Sequence, residues 1–486
     1  MSDRAVAHES LVMAEQCTGR GREGVVCAAA PLAASAGAAC LREGGNAFDA
    51  VVAAALAETV LLPPKCGLGG DLVAIVRRAG EPEPLALIAV GGAPAGLAAV
   101  AAAGEWRDVG PTSVGPPAAA AGYHALAELG TMPRARHAER AIDLARDGFP
   151  WATVCTRLSE QARQLVAEMN PAGTVYYPGG EPIAPGTLTR LAGLAAVLEE
   201  WVRLGDRMLD GAVGDAIVDA VSARGGVLDR AAFDYARADW TACARRTVGD
   251  RTLWATPAPT HGPSLLDAVG EHADDAGAVY RSVMRAIAAR RDTLADPTGT
   301  SIVSAGDRFG NAVVVIHSNS YPRFGSGIVV PGYDLVLANR AGRGFSTAPG
   351  HPNFPEAGRR PATTLHAWAA SGAGGGEARL LGGTPGGANQ MPWNAQALTR
   401  VIAGSESPGR LVTSPIWEWL PDDDGVRIEA GIGDADAEAL ASAAPRTVRA
   451  PRWGCKSAHQ VVRVPADGEV WEGAADPRTQ GAAIGV

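Results

Sequence analysis

At about residue 296 the texture of this 486-residue chain changes. Upstream, AGYHALAELG (121–130), AERAIDLARDGF (138–149) and TRLAGLAAVLEEWVRLGDRML (189–209) repeat apolar residues at i, i+3 and i+4, the period of an amphipathic helix. Downstream, IVSAGD (302–307), AVVVIHS (312–318) and GIVVPGYDLVLAN (327–339) are short β-branched runs separated by Gly, Asp and Asn, the mark of hairpins. The two halves therefore read as helix-rich before 296 and β-rich after it. That combination predicts an α/β layered fold in which helices wrap sheets. The length allows one large layered domain or two to three ordinary ones.

Local signals fill in this outline. GVVCAAAPLAASAGAAC (24–40) reads as a short buried strand and a small-residue helix. It also has the composition of a secretory apolar segment, but it starts late and follows a polar stretch of mixed charge, so a cytoplasmic protein is expected. In LREGGNAFDAVVAAALAETVLLPP (41–64), Asn46 caps an Ala-rich apolar helix that stops at Pro63. CGLGGDLVAIVRRAG (66–80) is a glycine turn into a strand, and ARLLGGTPGGANQMPWNAQAL (378–398) is strand, glycine loop, helix. Between them, 346–361 is a Pro- and Gly-rich loop too long for a simple turn.

Several function classes are excluded at this stage. The net charge is −9 with no basic stripe, which disfavours nucleic acid and anionic membrane as partners. No uncharged apolar run reaches the roughly 20 residues of a membrane span. The seven cysteines are odd in number and lack CxxC spacing, which fits reduced thiols rather than disulfides or zinc. GGTPGG and CGLGGD lack the Lys-Ser/Thr or GxGxxG context of a phosphate loop. There is no HExxH and no GxSxG, so neither a metal nor a cofactor is expected, and His317, His351, His366 and His459 read as hydrogen-bonded or solvated.

Ten short blocks in a fixed order are more specific. They are GGNAFDAVVAAAL (44–56), CGLGGD (66–71), LGTMP (129–133), LARDGF (144–149), TPAPTHGPSLLDAV (256–269), DRFGNAV (307–313), FGSGIVVPG (324–332), GRRPATTL (358–365), GGTPGGA (382–388) and GAADPR (473–478). Together they resemble the γ-glutamyltranspeptidase family over essentially the whole chain. The resemblance implies an N-terminal-nucleophile hydrolase, a four-layer αββα sandwich made as a precursor that cuts itself. On this sequence the cut falls between Gly299 and Thr300, giving a large chain 1–299 and a small chain 300–486 that stay together as a heterodimer. Thr300 is then the nucleophile, with its freed α-amino group, of pKa near 8, as general base. Ser318 falls where the family keeps a hydroxyl bonded to the nucleophile. The backbone N–H groups of Gly386 and Gly387 match the family's oxyanion donors.

The departures from the family pattern bear on substrate. Val90 stands where glutamyl-binding members carry an arginine, and Gly344 where they carry an acid. Without those partners glutathione is not the expected substrate. Thr363 and Thr364 replace a serine pair and keep a hydroxyl-lined pocket. Asn339, Arg340 and Arg343 lie in the block that lost its acids, and the arginines suit an anionic acyl group. The stretch RRDTLADP (290–297) runs almost directly into the Gly-Thr pair, shortening a segment that is long in the family. The expectation is a self-cleaving acylase acting on a small molecule other than glutathione. Two alternatives stand beside it: a C–C bond hydrolase on a dihydropyrrole or propylproline precursor in antibiotic biosynthesis, and a processing-dead binding paralogue. Hydrolysis and acyl transfer are not distinguished.

Overall fold

The computed structural model describes residues 12–270, 275–290, 299–466 and 468–486. Most of RRDTLADP lies outside the described residues, so the short segment before the Gly-Thr pair has no structural account.

The predicted cap at Asn46 forms. Its side-chain oxygen accepts from the Phe48 and Asp49 N–H groups at 2.9 and 3.0 Å, and Asp49 returns a bond to the Asn46 N–H at 2.7 Å. This reciprocal capping box opens the helix Ala47–Leu61. Every residue of that helix is buried, as expected of a helix without a polar face. Asp49 does more than cap. Its carboxylate also accepts from the N–H groups of Thr131 and Met132 at 3.0 and 2.9 Å and lies 2.8 Å from His137 Nε2. The blocks GGNAFDA and LGTMP are thus two ends of one hydrogen-bond network.

Two seven-stranded sheets, antiparallel throughout, form the centre. The first runs in the order Thr18–Gly21, Trp471–Ala475, Gln460–Arg463, Ala378–Gly383, Ala367–Ser371, Arg251–Ala255, Ala244–Val248. The second runs Ala482–Gly485, Gly24–Ala28, Thr300–Asp307, Ala312–Ser318, Asp71–Arg77, Leu85–Ala89, Asp239–Ala242. Strand alternation sorts the side chains. On Ala312–Ser318, Val314 and Ile316 meet Trp254, Leu381 and Val462 of the other sheet, while Val313 and Val315 join Leu56 and Tyr123 under the helices. The first sheet turns Leu253, Trp368 and Leu380 toward Leu265, Leu398 and Val401 of the helices Gly262–Ala268 and Gln390–Ile402.

The change of texture at 296 is therefore not a division between helices and sheets. Strands from both sides of residue 299 share each sheet, and in the second the early strands Gly24–Ala28 and Asp71–Arg77 flank the hairpin formed by Thr300–Asp307 and Ala312–Ser318. Short all-buried strands such as GVVCA lack the polar–apolar alternation that marks a half-exposed strand, which is why helical stretches dominate the pattern upstream. The hairpin turn is held by Asp307, whose carboxylate accepts from Phe309 N and Asn311 N and also from Ala47 N at 2.7 Å, the start of the buried helix.

Replacing Asp49 by Ala leaves the buried Asn46 N–H and the partly buried N–H groups of Thr131 and Met132 without their acceptor. The expected loss is about 3 kcal/mol of unfolding free energy, read as a lower urea midpoint at unchanged slope.

Candidate active site

Antiparallel register places Thr300 opposite Ser318 and Ser318 opposite Asp71, so the three share one end of neighbouring strands. Thr300 is 3% exposed. Its Oγ1 lies 3.1 Å from Ser318 Oγ. Ser318 Oγ also lies 2.9 Å from the Gly299 carbonyl oxygen and accepts from Ser320 N–H at 2.9 Å. A hydroxyl has one proton, and the carbonyl is only an acceptor. The Ser318 proton therefore goes to Gly299 O, and Thr300 Oγ1 donates to Ser318. The two hydroxyls form a directed chain from the threonine to the carbonyl that precedes it.

Gly299 is required by close approach. A Cβ built there would sit 2.0 Å from the Ser320 carbonyl oxygen. The opposing loop is itself unusual, with Ser320 at φ 69 and Phe324 at φ 61, both in the left-handed region. Gly70 has the same kind of role one strand away, where a Cβ would lie 2.3 Å from Ser318 O. The glycines of CGLGGD thus serve backbone packing beside the site.

The next row carries charge. Arg340 Nε donates to Asp71 Oδ2 at 2.8 Å, and both residues are buried. Among the described residues this is the only side-chain hydrogen bond of Arg340. Asn339 donates through Nδ2 to Tyr321 O at 2.6 Å and Asp108 O at 2.7 Å, joining two loops, and its buried Oδ1 has no partner among the described residues. Arg343 pairs with the Asp108 carboxylate and lies over the Tyr321 ring. Val90 is buried in the layer between the sheets, its carbonyl accepting from Arg360 Nε at 2.9 Å. At Gly344 a Cβ would meet Pro361 at 2.4 Å, so an acidic side chain has no room there without a backbone shift.

The strand Ala378–Gly383 faces Ile302 and Ile316, two residues from Thr300 and Ser318 on their own strands. It continues into the loop bearing Gly386 and Gly387, the latter at φ 57. Thr363 Oγ1 accepts from Leu365 N at 3.2 Å. Thr364 touches the glycine loop through Gln390, whose amide lies between them. Next to Thr364, His366 is bonded through Nδ1 to Thr364 O at 2.8 Å and through Nε2 to Asn394 at 2.9 Å.

Sequence reasoning missed three groups. Asp71 ends CGLGGD, a motif that assigns no role to its last residue. Gln390 follows the glycine loop without belonging to any motif read from it. The third is a buried chain behind the hairpin, with Tyr123 OH 2.6 Å from His317 Nδ1, His317 Nε2 2.9 Å from Glu58 Oε2, and Glu58 Oε1 accepting from Ala29 N at 2.6 Å. Cys66 joins Glu58 and His317 within 4.8 Å, but both imidazole nitrogens already have partners, so a metal would have to displace one.

The sequence profile described as Gamma-glutamyltranspeptidase matches residues 33–274 and 271–486. The chain belongs to the gamma-glutamyltranspeptidase family. Within it, the Acylase ACY 1 proenzyme of Pseudomonas sp. strain SE83 is 27% identical over 506 residues, covering 89% of this chain and 88% of that protein. The oxamate amidohydrolase proenzyme of Klebsiella pneumoniae is 27% identical over 528 residues, covering 93% of this chain and 97% of that protein. The solved structure of a cephalosporin acylase from Bacillus halodurans superposes with a TM-score of 0.85 at 25% identity, covering 96% of this chain and 97% of that one. This gamma-glutamyltranspeptidase family member is thus similar over nearly its full length to acylases and an amidohydrolase.

Burial pushes the imidazole of His366 down from its ordinary 6.5 to about 3, and that of His459 likewise to about 3. The unfolded chain binds these protons below pH 6.5 and the folded one does not, so stability falls as pH drops from 6.5 toward 3. The variant His366→Gln is expected to flatten that slope, measured by chemical denaturation at pH 5 and pH 7.

Proposed function

We propose that this protein is a self-cleaving threonine hydrolase of the acylase type, acting on a small molecule other than glutathione. In this reading the two sheets and their outer helices are the αββα sandwich of an N-terminal-nucleophile hydrolase. The observation that carries it is the hydroxyl chain from Thr300 through Ser318 to the Gly299 carbonyl.

The chain suits cleavage of the bond it spans. Thr300 Oγ1 attacks the Gly299 carbonyl carbon, and its proton passes by way of Ser318. The C–N bond breaks with the proton on the departing nitrogen, leaving an ester between Gly299 and Thr300 Oγ1. Water hydrolyses that ester to a Gly299 carboxylate and frees both the hydroxyl and the α-amine of Thr300. The α-amine, with pKa near 8, then serves as general base for the same hydroxyl against substrate. The substrate's acyl group moves to Oγ1, its leaving group takes the proton, and water releases the acid. Gly386 and Gly387 are the proposed oxyanion donors, and Thr363, Thr364 and Asn339 line the acyl site.

Arg340 favours an acyl group that carries its own carboxylate. Its Nε is fixed by Asp71 in the row beyond Ser318, which leaves the two Nη groups for a ligand anion. The acylase and amidohydrolase relatives support an amide as the scissile bond.

On a denaturing gel the wild-type chain is expected to resolve into fragments ending at Gly299 and starting at Thr300, while Thr300→Ala stays at 49.6 kDa. Ser318→Ala should slow the cut by roughly 100-fold. A wild-type chain that stays whole after prolonged incubation sinks the reading. Substrate class is checked by release of 4-nitroaniline from succinyl, butanoyl and γ-glutamyl anilides. The succinyl compound should lead, and Arg340→Met should remove its advantage over the butanoyl one.

A further inference from the structure

The helix Gln390–Ile402 is preceded by a single tight turn, Gly387–Asn389. Gln390 is fully buried, yet its side chain is polar at both ends. Around its amide lie the carbonyls of Thr364 and Thr384, the Gly387 N–H and the Thr364 hydroxyl. Two carbonyls need an NH2 and the N–H needs an oxygen, which fixes the orientation. The nitrogen donates to Thr364 O at 3.2 Å and Thr384 O at 3.3 Å, and the oxygen accepts from Gly387 N at 3.2 Å and Thr364 Oγ1 at 3.3 Å.

We propose that Gln390 is a positioning residue for acyl transfer, setting the direction of the glycine-loop N–H groups and linking that loop to the Thr364 hydroxyl. The inference rests on the reading of Gly386 and Gly387 as oxyanion donors. Its physical basis is that the peptide between the two glycines is tied at its carbonyl end by one bond, Asn389 N donating to Gly386 O at 3.0 Å, and at its N–H end by Gln390. Gly387 is left-handed and neither glycine has a side chain to pack, so the peptide between them is free to rotate unless it is tied. Gln390 reaches back three residues to the first N–H of the helical turn, as the glutamine of a capping box does. On the far side Asn389 fastens the same turn by accepting from Trp419 N at 2.8 Å and donating to Trp419 O at 2.9 Å. The turn is clamped from both flanks, and only the Gln390 flank opens onto the acyl site. A substrate group that takes the Thr364 hydroxyl proton leaves the amide oxygen to Gly387 N–H alone, and a developing oxyanion shares that N–H across the long 3.2 Å bond.

Self-cleavage does not use this tie. The Gly299 carbonyl oxygen is bonded to Ser318, whereas the tie acts on the glycine loop. The variant Gln390→Leu, similar in volume and without an amide, should therefore cut itself within about twofold of the wild-type rate. Its kcat on succinyl 4-nitroanilide should fall roughly 100-fold with KM within about threefold. Hydrogen–deuterium exchange of the peptide spanning 384–391 should speed up in Gln390→Leu relative to the wild type, compared on the folded chains whether cut or whole. Gln396→Leu serves as the control. It removes a buried amide on the same helix, bonded to Pro392 O and to Trp417, and should lower the melting temperature while sparing kcat. The proposal is overturned if Gln390→Leu keeps its kcat, if its self-cleavage falls in step with turnover, or if exchange at 384–391 is unchanged. Failure of the wild-type protein to cut itself or to turn over the anilide would strike the preceding reading, and the exchange measurement would still decide the Gln390 tie.

Discussion

The site depends on one register. Thr300 stands opposite Ser318 because seven residue pairs of the hairpin, from Thr300–Ser318 to Gly306–Ala312, are aligned in an unbroken antiparallel ladder. A slip of one residue would send one of Ile302 and Ile316 out of the layer between the sheets and carry the two hydroxyls to opposite faces. Asp307 pins the turn at the far end of the ladder and grips the buried helix at the same time. The placement of Thr300 against Ser318 is therefore fixed some seven residues away, by a carboxylate that meets neither of them.

Around that ladder Val90 and Gly344 bring no charge. Val90 contributes packing between the sheets, and Gly344 sits where Pro361 leaves no space for a side chain. The remaining buried positive charge near the Ser318 row is Arg340, and Asp71 holds it by a single edge. A buried pair of this kind adds little to stability once desolvation is counted, so its placement is better understood as geometry than as glue.

Much of this was legible in the residues. Asn46 as a helix cap, the strand–loop–helix course of 378–398 and the hairpin after Thr300 follow from capping chemistry, glycine spacing and β-branched runs. The motif blocks also have physical content, since Asp49, Asp307 and the glycines of CGLGGD are each held by a contact far away in sequence. The interleaving of strands from the two halves was not legible, because all-buried strands carry no alternation to count. Nor was the role of Gln390 or Asp71. A polar residue becomes informative only when the groups it answers are known, and those come from Thr364, Thr384 and Gly387 for the first and from the Arg340 side chain for the second.

The mixing of strands has a consequence for the life of the molecule. Thr300–Asp307 is hydrogen-bonded on one side to Gly24–Ala28, from the other side of the 299–300 junction, and on the other to its own hairpin partner. While the chain is whole, bringing these strands together is an intramolecular search at high effective concentration. A break at that junction makes the same assembly a meeting of two separate molecules, each with unpaired strand edges. The fold would then persist by the slowness of its unfolding rather than by its ability to form again. A chain cut there would be assembled once, and its working form would be a memory of the connected chain.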